Sequence, residues 1–177
     1  MDIEKLKFPI GEFSPLETYT NEQIHLYIDD IEKLPLQLKK EVEGFTDNQL
    51  DTPYRPGGWT IRQVVHHIPD SHMNAHIRFK LTLTEENVEI RPYYEDRWAE
   101  LSDYKMSPDV SLNLLEGIHK RWVNVLRSMN PEDFSKKYTH PEYKKVFQLK
   151  EALHMYSWHC RHHLAHITEL KKRMNWK

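Results

Sequence analysis

An all-α fold, a four-helix bundle with long crossover loops, is what the sequence predicts, and three observations predict it. Four stretches, near residues 20–43, 60–83, 107–129 and 148–174, repeat apolar residues in steps of three and four, the spacing of one buried helical face. No stretch shows the sustained apolar–polar alternation of a half-buried strand. The 177 residues include only five glycines, and prolines gather in the segments between, so long helices joined by irregular loops account for the chain. A chain of this length suits one domain, residues 1–177, and can bury roughly 70% of its unfolded surface, so it needs no cross-links. Its one cysteine excludes an internal disulfide and fits a reducing cytoplasm.

Charge and hydropathy exclude several function classes. A formal net charge of −2 leaves no basic field for nucleic acid or anionic lipid. The first residues, MDIEKLKFPIGEF, interrupt their apolar side chains with Asp2, Glu4, Lys5 and Lys7, so no secretory core forms. No apolar run reaches the length of a membrane helix. The expectation is a soluble cytoplasmic protein with neither nucleic acid nor membrane as partner.

Taken in order, residues 1–19 carry Pro9, Gly11 and Pro15 and read as an extended arm packed on the body. Thr20 or Asn21 can cap a first helix to about Glu43, with Ile24, Tyr27, Ile28, Ile31, Leu34, Leu38 and Val42 inward. Pro35 predicts a kink rather than an end, because the apolar period continues beyond it. Thr46 can cap a single turn through Leu50, and Pro53, Pro56, Gly57 and Gly58 make a tight loop. Thr60 starts the second helix, which contains Pro69 and so leaves the Val65 carbonyl without its usual donor. Residues 84–107 read as a long loop bearing Tyr93, Tyr94 and Trp98. Ser107-Pro108-Asp109 is a helix start, with a capping hydroxyl, a proline at the first position and an acid at the positive end. That third helix runs to about Met129, with Leu114, Ile118, Trp122, Val125 and Met129 inward. Residues 131–147 form a second long connection containing His140-Pro141-Glu142, with at most a short extended piece near 143–147 that could pair with another loop. The last helix begins near Gln148. Two connections of more than a dozen residues suggest crossovers, or flaps over a site.

Twelve histidines are the unusual feature of the composition, and nine of them fall in residues 66–76 and 154–166. In the last helix Leu153, Tyr156, Cys160, His163, Ile167, Leu170 and Met174 form a core-facing seam, and His159 lies one turn before His163 on the same side. Two imidazoles at i and i+4 on a buried face can hold one metal ion. The other such pair, His162 and His166, continues through Glu169 and Arg173 toward water and ranks second. A third ligand has to come from elsewhere, and the second helix offers His66, His67, His72 and His76. His67 shares its face with Thr60, Val64, Ser71 and Asn74, as the lining of a partly wet cavity would, which favours it modestly. His66 sides with Arg62 and Asp70, while Arg78 and Lys80 place His72 and His76 outward.

The stretches GGWTIRQVVHHIPDSHMNAHIRFKLTLTE, RPYYEDRWAEL, HKRW at 119–122, HPE at 140–142 and YSWHCRHHLAHI resemble the YfiT-like proteins. These are metal-dependent hydrolases within the DinB superfamily, which also contains bacillithiol S-transferases. The resemblance runs end to end and implies the same helical fold, a homodimer and a metal site. A tryptophan at a helix start is followed eight residues on by a ligand histidine, which from Trp59 lands on His67. A later pair four apart supplies the other two ligands and matches His159 and His163, the pair the seam also selects. The superfamily's usual glutamine shortly after that pair is His166 here.

Three neutral imidazoles fill three tetrahedral positions of zinc at about 2.0–2.1 Å and leave the fourth open, an arrangement of catalytic rather than structural zinc. Nickel, cobalt or iron also suits such a donor set. The open position allows water to be activated toward a small substrate, making a hydrolase, or a low-molecular-weight thiol to be bound as thiolate, making a bacillithiol S-transferase. A non-catalytic metal-binding stress protein is the third alternative. Asp70 is the candidate catalytic carboxylate, and Asn74, Arg78 and Arg161 could hold a polar substrate. Cys160, Trp59, Trp122, Tyr156 and Trp158 read as packing. His140 could reach the site from its loop, and the Tyr93–Trp98 cluster could form the dimer interface.

Overall fold

The computed structural model describes residues 2–176, and the first four of its α-helices begin where a short side chain accepts from a first-turn backbone N–H. A one-turn helix α1 (Ile3–Lys7) is followed by an extended arm to Thr20. The helices α2 (Asn21–Val42), α3 (Asp47–Leu50) and α4 (Ile61–Thr84) share one device. Thr20, Thr46 and Thr60 accept from the N–H three residues on, and Gln23, Gln49 and Gln63 reach back to the threonine N–H. Helix α5 (Glu95–Trp98) and a 3₁₀ turn at Ser102–Lys105 interrupt the connection expected to be a plain loop. At α6 (Pro108–Ser128) the expected hydroxyl cap is not made: Ser107 Oγ donates to Asp109 Oδ2 at 3.3 Å instead. Strands β1 (Lys137–His140) and β2 (Lys145–Gln148) precede α7 (Leu149–Met174).

Helix α2 packs against α6 and α7, and α4 packs against the same two. The helices α2 and α4 therefore lie on one diagonal of a four-helix bundle, with α6 and α7 on the other. Residues 43–60 and 129–148 cross between diagonal partners, so the second long connection is a crossover as expected. The first, residues 85–107, is not: it joins the neighbours α4 and α6.

Three expectations need correction. The extended piece at 145–148 pairs with its own neighbour β1, antiparallel with Lys137 opposite Gln148, because Lys144 at φ 49° lets the chain turn back. Loop pairing falls to β1, through a bridge between Thr139 and Glu89. The buried stripe of α6 runs through Leu112, Leu115, His119, Trp122, Val123 and Leu126, leaving Leu114 exposed and Ile118, Val125 and Met129 half-buried. The buried His119 on this stripe is polar by hydropathy and so gives no apolar signal in the sequence. On α7 the seam is buried from Leu153 to Leu170, but Met174 is half exposed, and the His162/His166 face does not reach water. The N-terminal arm folds back over it: His166 Nε2 lies 3.0 Å from the Lys7 carbonyl, and Trp158 Nε1 donates to the Gly11 carbonyl at 3.1 Å.

Trp122, Phe79, Ile28, Ile31, Leu34 and Leu153 are fully buried at the centre of the bundle. Both α2 and α4 run unbroken through Pro35 and Pro69. Among the described residues no helix is long and apolar enough to cross a membrane.

Candidate metal centre

Because α4 and α7 lie side by side, His67 faces the last helix, where His159 and His163 stand one turn apart. His159 Nε2 lies 3.4 Å from His67 Nε2 and 3.1 Å from His163 Nε2, and the three candidate ligand atoms are all within 4.8 Å of one another. Two nitrogens on a tetrahedral ion, each about 2.0–2.1 Å from it, stand about 3.3–3.4 Å apart. These two separations therefore match a first-row divalent cation to within a few tenths of an ångström, and the third pair closes the set within 4.8 Å. Nitrogen lone pairs aimed at one point repel unless a proton or a cation lies between them, so the convergence is relieved by N–H···N hydrogen bonds in the metal-free protein or by a bound cation.

Burial favours the uncharged ligand form. It holds His67 and His163 well below the ordinary imidazole range, helped by the charge a neighbouring imidazole would carry, and lowers His159 to about 3. His67 and His163 are buried, while His159 is partly open to an adjoining cavity of about 330 Å³. Trp59 and Trp158 wall this cavity, with Tyr93 from the α4–α6 connection and Tyr143 and Phe147 from the hairpin. Its charged lining groups are Arg78, Glu95 and Glu142, and Arg78 Nη1 donates to Tyr156 Oη at 3.4 Å. The first connection thus serves as a wall of the site.

The other expected residues divide clearly. Asp70 is not brought to the cavity: Tyr104 Oη donates to its carboxylate at 2.8 Å, and burial raises its pKa while that bond opposes the rise. Asn74 donates to the Asp70 carbonyl at 2.8 Å, and Arg161 pairs with Asp30 at 3.2 Å, so neither faces the cavity. Arg78 does line it, and His140 reaches it from β1, stacked on Tyr143 at 4.3 Å between centroids. Cys160 is buried, which pushes its thiol up, and it packs as expected. Trp122 is core, whereas Trp59, Tyr156 and Trp158 also line the cavity. His166 stacks on Tyr54 at 3.8 Å and holds the arm. His66 is tied to Ser111 and the Met106 carbonyl.

The largest departure concerns His72 and His76, which are buried rather than outward, His72 completely. His72 Nε2 lies 3.0 Å from His159 Nδ1, and its Nδ1 lies 2.7 Å from His119 Nε2. The spacing held the signal: Val65, Ile68, Ala75 and Phe79, at −7, −4, +3 and +7 from His72, are all buried, whereas Arg78 and Lys80 are on other faces.

The sequence pattern of the DinB superfamily matches residues 31–167, which contain all three converging histidines. A Bacillus cereus protein named "Putative metal-dependent hydrolase" is 54% identical over 171 residues, covering 97% of this chain and 98% of its own. A Bacillus mycoides protein described in the same words is 52% identical over 174 residues, covering 98% and 100%. YfiT from Bacillus subtilis, described as "a probable metal-dependent hydrolase with an unusual four-helix bundle topology", has a TM-score of 0.95 at 52% identity, over 98% of this chain and 99% of that one. A mycothiol-dependent maleylpyruvate isomerase shares the fold alone, with a TM-score of 0.63 at 15% identity over 83% of this chain and 60% of its own. With the diagonal helix order and the histidine cluster in place, these matches show that the chain belongs to the DinB superfamily, in its YfiT-like group of metal-dependent hydrolases.

Proposed function

We propose that His67, His159 and His163 hold one divalent ion, zinc first among the candidates, and that the chain hydrolyses a small substrate at that centre. The observation that carries this is the convergence of three imidazole nitrogens beside an open cavity, with His159 Nε2 at 3.4 and 3.1 Å from those of His67 and His163 and all three within 4.8 Å of one another. When bound, such an ion supplies Lewis acidity and, from water, a nucleophile at neutral pH. The chain supplies the rest. Burial keeps the three ligands uncharged, and the aromatic walls exclude bulk water and take the apolar part of a substrate. Arg78 offers a positive charge to an oxygen of the scissile group. The cavity is near the lower end of small-molecule sites, roughly 300–1,000 Å³, and so suits a compact substrate. Glu95 and Glu142 take the place of Asp70 as candidate proton acceptors, because they line the cavity and Asp70 does not.

Metal-stripped and zinc-loaded protein, wild type and His67→Ala, would be assayed on a panel of esters, amides and electrophiles, with and without a low-molecular-weight thiol. Zinc-dependent turnover without thiol, lost in His67→Ala, is the expected result. Turnover only with thiol would transfer the site to bacillithiol S-transferase chemistry. Zinc binding without turnover of any compound would leave a non-catalytic metal protein.

A further inference from the structure

A chain of hydrogen bonds runs from the backbone of α2 through the bundle core to the triad. In a regular helix the Ile31 carbonyl accepts from the N–H of residue 35, but that residue is Pro35, which has none. The carbonyl is contacted instead by His119 Nδ1 of α6 at 2.5 Å. His119 Nε2 meets His72 Nδ1 at 2.7 Å, and His72 Nε2 meets His159 Nδ1 at 3.0 Å.

A carbonyl can only accept, and a neutral imidazole has one donor and one acceptor nitrogen. The end of the chain therefore decides every proton in it. His119 must carry its proton on Nδ1, which makes its Nε2 an acceptor. His72 must then donate from Nδ1 and accept at Nε2, so His159 must donate from Nδ1. The opposite assignment would set the Ile31 oxygen against a bare nitrogen at 2.5 Å. His119 and His72 are 2% and 0% exposed, so water has little access to relieve that clash.

We propose that Pro35, His119 and His72 act as positioning residues, holding His159 in its Nδ1–H tautomer so that the Nε2 lone pair faces His67 and His163 before any metal arrives; the purpose of this device rests on the metal reading above. Free histidine prefers the Nε2–H form, which would put a proton where the ligand bond has to form. Among the described residues, the Nδ1 atoms of His67 and His163 are buried without a hydrogen-bond partner, while that of His159 has one. Outer-shell hydrogen bonds of this kind orient metal-ligating imidazoles and set their tautomers.

The test starts with metal-free, full-length protein labelled with ¹⁵N-histidine, because tautomers are read there without any metal. Long-range ¹H–¹⁵N correlation at neutral pH should show His119, His72 and His159 all protonated on Nδ1. An Nε2–H form at any of the three overturns the proposal. Zinc affinity, measured by competition with a chromophoric chelator, is then compared for His119→Gln and His119→Phe. Glutamine keeps one donor and one acceptor and should bind zinc nearly as wild type does. Phenylalanine removes both and should weaken binding by about tenfold, the lower end of the roughly 10–100-fold range for lost outer-shell partners. Equal affinity in the phenylalanine variant and the wild type overturns the proposal. If that variant does not fold, the wild-type tautomers and the glutamine variant still decide, since Nε2–H at His159 or a tenfold loss with glutamine counts against it. Three Nδ1–H tautomers in a wild-type protein that binds no zinc would support the hydrogen-bonded chain and remove the metal reading instead.

Discussion

Acidification should destabilise the metal-free protein well before its carboxylates titrate. His119 and His166, both almost fully buried, are each lowered from 6.5 to about 4, chiefly by desolvation. Between those two values the unfolded chain binds a proton that the native state refuses, so the native state is favoured less as pH falls. The contribution is complete above about pH 6.5 and is lost on the way down to about 4. At pH 5 each group has passed through about 1.5 pH units of that window, or roughly 2 kcal/mol at about 1.4 kcal/mol per unit. The pair therefore removes about 4 kcal/mol from a domain whose whole stability is of order 5–15 kcal/mol. His159 and His162, each lowered to about 3, act in the same direction. Urea unfolding followed by far-UV circular dichroism, with chelator present, would be compared at pH 7.5 and pH 5.0. With a urea slope of about 2 kcal/mol per molar, the midpoint should fall by at least about 2 M from His119 and His166 alone, and further with His159 and His162. His119→Gln should lose about 2 kcal/mol less over the same interval, because one of the two groups no longer titrates. An unchanged wild-type midpoint between the two pH values would refute the claim that these imidazoles are buried uncharged.

Three further outcomes follow from side chains away from the triad. Trp122 is fully buried, and its indole Nε1 has no partner among the described residues. Trp122→Ala should cost about 3–5 kcal/mol by thermal unfolding, whereas Trp122→Phe should cost less than half of that, because the unsatisfied donor leaves with the indole; equal costs would contradict this. The Cys160 thiol is 2% exposed and pushed up by burial, so a thiol reagent should label native protein only at the rate of unfolding. Rapid native labelling would show that α7 opens. Arg62 joins Asp47 and Asp51, each at 2.7 Å, and the Met106 carbonyl at 3.3 Å, tying α3 and the end of the first connection to α4. Its carboxylate partners are exposed, so Arg62→Ala should cost only about 1–2 kcal/mol, less at high salt, as read from urea midpoints at two salt concentrations.

The helices were legible because their signals are local. A threonine before an apolar period marks a start, and the glutamine three residues on completes a reciprocal cap at Thr20, Thr46 and Thr60. Diagonal pairing was not legible, since periodicity says that a face is buried without saying which helix buries it. The hairpin escaped because strands of four residues are too short to show a period. The covering of His162 and His166 depends on an arm more than 140 residues away in sequence, and nothing within α7 announces it.

Within the site, the pair on α7 was legible from its spacing on a buried seam, and His67 followed from the family resemblance more than from its own face. His72 is hidden in the sequence because Arg78 and Lys80 nearby suggest an outward face, and His119 because histidine counts as polar, although each occupies a position where an apolar residue would be expected. Pro35, read alone, predicts only a kink, and each of these features is unfavourable alone. A proline inside a helix leaves a carbonyl without its donor, at a cost of about 3 kcal/mol or more. A buried imidazole N–H without an acceptor costs about 1–3 kcal/mol. Across the α2–α6 interface each supplies what the other lacks, so the two penalties offset each other, and the direction of the resulting bond is transmitted through His72 to His159. A local rule applied to either residue predicts a flaw, and the pair becomes intelligible only when the bundle's diagonal packing places α6 against α2. The same packing that hides the relay from the sequence is what connects a helix-breaking residue to the nitrogen that faces the metal site.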